Sequence, residues 1–152
     1  MNDGLAPSFI AHIICPSNAS RNKLSSRGII VNFAETLERM TDRVDGCAAV
    51  VLLGLDGIPI ERAVIDIDPA LDIELIATEF STLVRRGQRT ADDTALGDLN
   101  ELVLATDRMT FVIRPITSEY FLLLALNPGA NVGRARFELR KAQLEMEAEF
   151  TI

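Results

Sequence analysis

The stretch Val44-Asp45-Gly46-Cys47-Ala48-Ala49-Val50-Val51-Leu52-Leu53-Gly54-Leu55-Asp56-Gly57-Ile58-Pro59-Ile60 decides the fold class. From Cys47 to Leu53 every side chain is apolar, so a strand formed here needs cover on both faces. Leu55-Asp56-Gly57 supplies turn chemistry and folds the chain back as a hairpin. The return strand, 58–65, mixes Glu61 and Arg62 with aliphatics and carries Pro59. Proline has no N–H to give a ladder, so this strand belongs at a sheet edge. A central strand paired with an edge strand predicts an α/β domain with helices on the sheet.

Helical patterns flank the hairpin. Upstream, Asn32 with Glu35 three positions on forms a capping-box pattern, Phe33, Leu37, Met40 and Val44 make one stripe, and Gly46 ends the helix. Downstream, Asp68-Pro69 reads as N-cap and first helical position. Ile73, Ile76, Ala77, Phe80, Leu83 and Val84 then form a core stripe. Leu71, Leu75, Thr78 and Thr82 form a second, semi-apolar stripe on a neighbouring face. A sheet covers one stripe, so the second is either a contact surface or a broad core face under the following loop. Arg85-Arg86-Gly87-Gln88-Arg89 reads as a solvated helix end whose cations complement the dipole, or as a patch for an acidic partner. Segment 90–97 is polar, as fraying helix or loop.

Three strands at hairpin spacing follow, 101–106, 109–113 and 120–126. The last is as apolar as 47–53, which predicts that those two lie side by side in the middle of the sheet. Asn131 can cap a final helix, where Ala135, Leu139, Ala142, Met146 and Phe150 recur at helical spacing.

With 152 residues, 48% of them apolar, the chain suffices for one domain with a real core. A net charge of −7 argues against a general nucleic-acid binder and fits a soluble cytoplasmic protein. No apolar run reaches bilayer-spanning length, so no membrane insertion is expected. Residues 1–30, with Pro7, Pro16 and the polar run from Ser17 to Lys23 around the island Phe9–Cys15, read as a loosely attached tail ahead of a domain at 31–152. A true start near Val31 or Asn32 is a further expectation. Cys15 and Cys47 lack the neighbours of a redox pair or zinc cluster and read as free thiols, Cys47 as a core residue.

Catalytic chemistry is not legible. His12, the single histidine, falls in the tail. Ser81 and Ser118 sit in no nucleophile elbow, and no phosphate-cradling glycine loop occurs. Gly129, Gly133 and Arg134 at a helix start make a weak anion-site pattern. Asp66, Asp68 and Asp72 lack the glycine and distal glutamate of a calcium loop, so capping explains them better. Tyr120 and the seven phenylalanines suggest core filling. No cofactor and no metal are expected.

The order helix, hairpin, long helix, three-stranded meander, helix resembles the Roadblock family, whose domain also occurs in dynein light chains. Residues 44–50 leading into Leu55-Asp56-Gly57-Ile58-Pro59-Ile60 resemble its opening. The apolar helix over 72–83 is similar to its second helix, and Tyr120-Phe121-Leu122-Leu123-Leu124 followed by Asn131-Val132-Gly133-Arg134-Ala135-Arg136 resembles its approach to the last helix. The resemblance spans about 32 to 150 and implies a five-stranded antiparallel sheet in order 2-1-5-4-3 with three helices, a roadblock/longin-like α/β (α+β) fold. It also implies a homodimer joined through the second helix and third strand, here about 72–86 and 101–106. The residues placed there are Leu71, Leu75, Thr78, Glu79, Thr82 and Arg86 on the helix side, with Glu101, Val103 and Ala105 on the strand. Bacterial and archaeal relatives bind small Ras-like GTPases, some as activators, while eukaryotic relatives are scaffolds. The implied function is a non-catalytic regulator of such a GTPase, or a scaffold that leaves GTP turnover unchanged.

Overall fold

The computed structural model describes residues 32–150. The expectations about 1–30, including His12 and Cys15, lie outside the described residues. Helix α1 (Phe33–Arg43) is followed by β1 (Cys47–Gly54), β2 (Pro59–Val64) and helix α2 (Ile73–Asp93). Then come β3 (Leu102–Ala105), β4 (Thr110–Pro115), β5 (Tyr120–Leu126) and helix α3 (Val132–Phe150). The strands form one antiparallel five-stranded sheet in the order β2-β1-β5-β4-β3, as expected.

The doubly apolar β1 has both faces covered. Val50 and Leu52, with Leu122, Leu124 and Leu126 of β5, meet Leu37 and Met40 of α1 and Leu139, Ala142 and Met146 of α3. Ala49, Val51 and Leu53, with Phe121, Leu123 and Ala125, meet Ala77, Phe80 and Val84 of α2. The result is three layers, with two helices on one side of the sheet and one on the other. Pro59 stands opposite Leu53 where the β1–β2 register shifts, and it opens the edge strand as its missing N–H requires. Gly46 takes φ +82°, and a Cβ there would lie 2.6 Å from that of Ala130, so glycine is needed where the α1–β1 and β5–α3 connections cross.

Asn32 caps α1 as expected, its carboxamide accepting from the N–H groups of Ala34 (3.1 Å) and Glu35 (3.4 Å). Helix α2 corrects three expectations. Its cap is Asp72, which accepts from Glu74 and Leu75 N–H at 3.0 and 3.1 Å, rather than Asp68. Asp68 instead accepts from Ala70 N–H at 2.9 Å and ion-pairs with Arg108, which holds 68–71 as a separate turn. The helix then runs through Gly87 to Asp93, so the arginines at 85, 86 and 89 lie within it and its last turn carries no base. A Cβ on Gly87 would come within 3.1 Å of Leu99, so the glycine admits the returning chain. Leu83, expected in the core, is 40% exposed.

One buried acid was not legible in the sequence. Glu138 of α3 is 3% exposed, with Arg134 at 2.7 Å, Arg43 at 3.7 Å and Lys141 at 3.9 Å. Its Oε1 has no aligned hydrogen bond despite the short Arg134 contact, so the attraction there is electrostatic rather than directional. The cations are about half exposed and rehydrate if the acid is neutralised. Glu138→Gln is therefore expected to lose about 1–2 kcal/mol, below the usual penalty for breaking a buried pair. Urea unfolding checks it, and an unchanged midpoint would show that the cluster contributes nothing.

Candidate functional site: an uncovered margin of the sheet

Five strands spaced about 4.8 Å apart span roughly 19 Å, while one helix covers about 10 Å. Helix α2 alone therefore leaves part of its face of the sheet open. Gly57 of the β1–β2 turn lies against Thr78 and Ser81, while Phe80 packs against Phe111 of β4 with the rings tilted by 45° and their centroids 4.8 Å apart. These contacts hold α2 against the β1–β2 turn and β4, and at the β3 margin the edge strand is paired, among the described residues, with β4 alone.

On α2, Leu75 is 57% exposed, and Thr78, Glu79, Thr82 and Arg86 are also exposed. Leu75, Glu79, Thr82 and Arg86 lie opposite the buried stripe of Ala77, Phe80, Ser81 and Val84. Leu71 departs from the expectation. It precedes the helix and is half-buried against the α2-side core. Leu83 joins the exposed set from the flank of α2 nearest β4.

On β3 the register separates the residues by face. Val103 pairs with Val112 and Ala105 with Thr110, on the α1/α3 side, whereas Leu104 pairs with Phe111 on the α2 side. Leu104, 39% exposed, was not singled out from the sequence, yet it shares its face with Leu83. Glu101 is largely buried and bound within the chain, to Arg114 at 2.9 Å and to Arg136. It braces β3 to β4 and α3 rather than standing free. Leu75 and Leu83 are thus exposed on α2, and Leu104 on the α2 side of the edge strand β3, with Val103 and Ala105 on the strand's reverse face.

The described residues offer little for catalysis. No group of three or more His, Cys, Asp or Glu among them could hold a metal ion. Burial pushes the Cys47 thiol up to about 12, away from nucleophilic use near neutrality. At the N-terminus of α3, where the sequence carries only a weak anion-site pattern, Asn131 Oδ1 accepts from Arg134 N–H at 3.0 Å as a cap. A cleft of about 400 Å³ beside the β1–β2 turn is lined by Leu55, Asp56, Ile58, Ile60, Glu119 and Tyr120. It lies away from the β3 margin. No helix among the described residues is long and apolar enough to cross a membrane.

No family model and no curated protein sequence matches the chain. Solved structures do. The Roadblock/LC7 domain from Streptomyces avermitilis superposes with a TM-score of 0.68 at 18% identity, covering 78% of this chain and 98% of that one. MglB from Myxococcus xanthus gives 0.70 at 16% identity, covering 80% and 96%. MglC from Myxococcus xanthus gives 0.56 at 28% identity, covering 77% and 98%. The chain has the Roadblock/LC7 fold.

Proposed function

We propose that this chain is a non-catalytic, cytoplasmic homodimeric regulator of a small Ras-like GTPase, working through the α2–β3 margin. The observation that carries the reading is the exposure of Leu75 and Leu83 on α2 and of Leu104 on β3, a strand whose outer edge is unpaired among the described residues. An edge of this kind invites strand addition, and a second copy would join two sheets while covering the leucines. The Roadblock/LC7 fold, with MglB and MglC among its neighbours, supports the regulator assignment over a freestanding enzyme. An activator that repositions the GTPase's own groups needs no reactive side chains itself.

Single-turnover GTP hydrolysis by a Ras-like GTPase encoded beside this chain tests the proposal. The rate should rise about tenfold or more with wild-type protein, a change of about 1.4 kcal/mol in the barrier. It should fall back with Leu75→Glu. Binding without a change in rate would leave the scaffold reading, and absence of binding would discard both.

A further inference from the structure

Helix α3 is charged against its own dipole. Its first half carries Arg134, Arg136, Arg140 and Lys141 against one acid, the buried Glu138. Its last turns carry Glu145, Glu147 and Glu149, Glu145 being paired with Arg39 of α1 at 3.0 Å, with no acid in the first turn and no base in the last. The favourable arrangement is the reverse. Along the side turned away from the sheet run Phe137, 57% exposed, and Leu144, 58% exposed, one heptad apart, with Ala148 beyond them. Arg134 lies over the Phe137 ring at 5.6 Å. Two large apolar side chains are thus presented on a helix whose charges change sign along its length.

We infer that the outer face of α3 is a second self-association surface, on which α3 of another copy lies antiparallel. A helix that is basic in one half and acidic in the other is complementary to itself only when reversed. The side-chain angles give a definite register. With Leu144 near the twofold axis against its own copy, Phe137 lies over the partner copy's Ala148. Lys141, which also neighbours Glu138 at 3.9 Å, and Arg140 then fall beside the partner copy's Glu145 and Glu147 on opposite flanks. There they add to contacts those groups make within their own chain, such as Glu145 with Arg39 at 3.0 Å. Each contact occurs twice, as an isologous interface requires. The α2–β3 margin lies elsewhere on the molecule, so a chain using both surfaces assembles beyond the dimer. The inference does not depend on the proposed function.

Sedimentation velocity on the full chain carrying Leu75→Glu isolates this surface. Concentration-dependent dimerisation that weakens with salt is expected, and adding Leu144→Glu should abolish it. Arg140→Glu should weaken it about tenfold, counting two lost pairs, and Arg140→Glu with Glu147→Arg should restore it. If Leu75→Glu leaves the wild-type dimer intact while Leu144→Glu dissolves it, the α3 surface stands and the α2–β3 interface fails. A Leu75→Glu protein that is monomeric at every concentration in low salt would overturn the inference. So would a dimer indifferent to Leu144→Glu, or capture of the α3 face by an acidic protein or an anionic vesicle with no self-association.

Discussion

Leu75→Glu is expected to weaken self-association through the α2–β3 margin by at least about 100-fold, or roughly 3 kcal/mol. Leu75 is more than half exposed in the isolated chain, so the substitution leaves the core untouched and folding should persist. In a twofold dimer the change enters twice, and each copy loses about 1.5–3 kcal/mol of leucine burial and gains a desolvated carboxylate. Leu104→Glu should act in the same direction, because Leu104 shares the α2 face. Val103→Glu, on the reverse face, should act less strongly if the partner covers the α2 side alone. Equilibrium sedimentation of the three variants ranks them. An unchanged dimer for both Leu75→Glu and Leu104→Glu would place the interface elsewhere.

Phe80→Ala should cost about 3–4 kcal/mol of folding stability, the larger effect within a single chain. Phe80 is 5% exposed and packs tilted against Phe111, so truncation leaves a void between α2 and β4 and removes an aromatic pair. Among the described residues no second helix lies on that face to close the gap. At a urea dependence of about 1.5 kcal/mol per molar, the midpoint should fall by roughly 2 M. Phe137→Ala is the matched comparison. Its ring is mostly exposed, and stability should stay within about 0.5 kcal/mol. Equal losses in the two variants would mean that α2 is not held to the sheet as described.

What was legible in the sequence was mostly local or strongly periodic. The cap at Asn32 depends on groups two and three residues away. The central place of β1 and β5 follows from runs with no polar face, and the edge place of β2 from one missing N–H at Pro59. What escaped depended on distant partners. Asp68 and Asp72 both suit a helix start, and the ion pair from Arg108, forty positions away in sequence, helps fix Asp68 in its own turn. Leu83 fits a core stripe by spacing alone, but spacing does not reveal that a single helix is narrower than the sheet beneath it. The face of Leu104 is set by its register with Phe111, and a four-residue strand is too short to announce its own register. Phe137 and Leu144 were hidden likewise. Their exposure becomes visible only when α3 is laid on the sheet by Ala135, Leu139, Ala142 and Met146.

The brace formed by Glu101 has a thermodynamic consequence. One carboxylate, largely withdrawn from water, holds Arg114 of β4 with one oxygen and Arg136 of α3 with the other. Edge strand and outer helix therefore share a common anchor, and a ligand that shifts β3 changes the free energy of placing Arg136. Linkage makes that coupling equal in both directions: whatever occupancy of the strand edge does to affinity at α3, occupancy of α3 does to affinity at the edge. Glu101→Gln weakens the anchor while leaving both surfaces in place, and it should make the two equilibria more nearly independent.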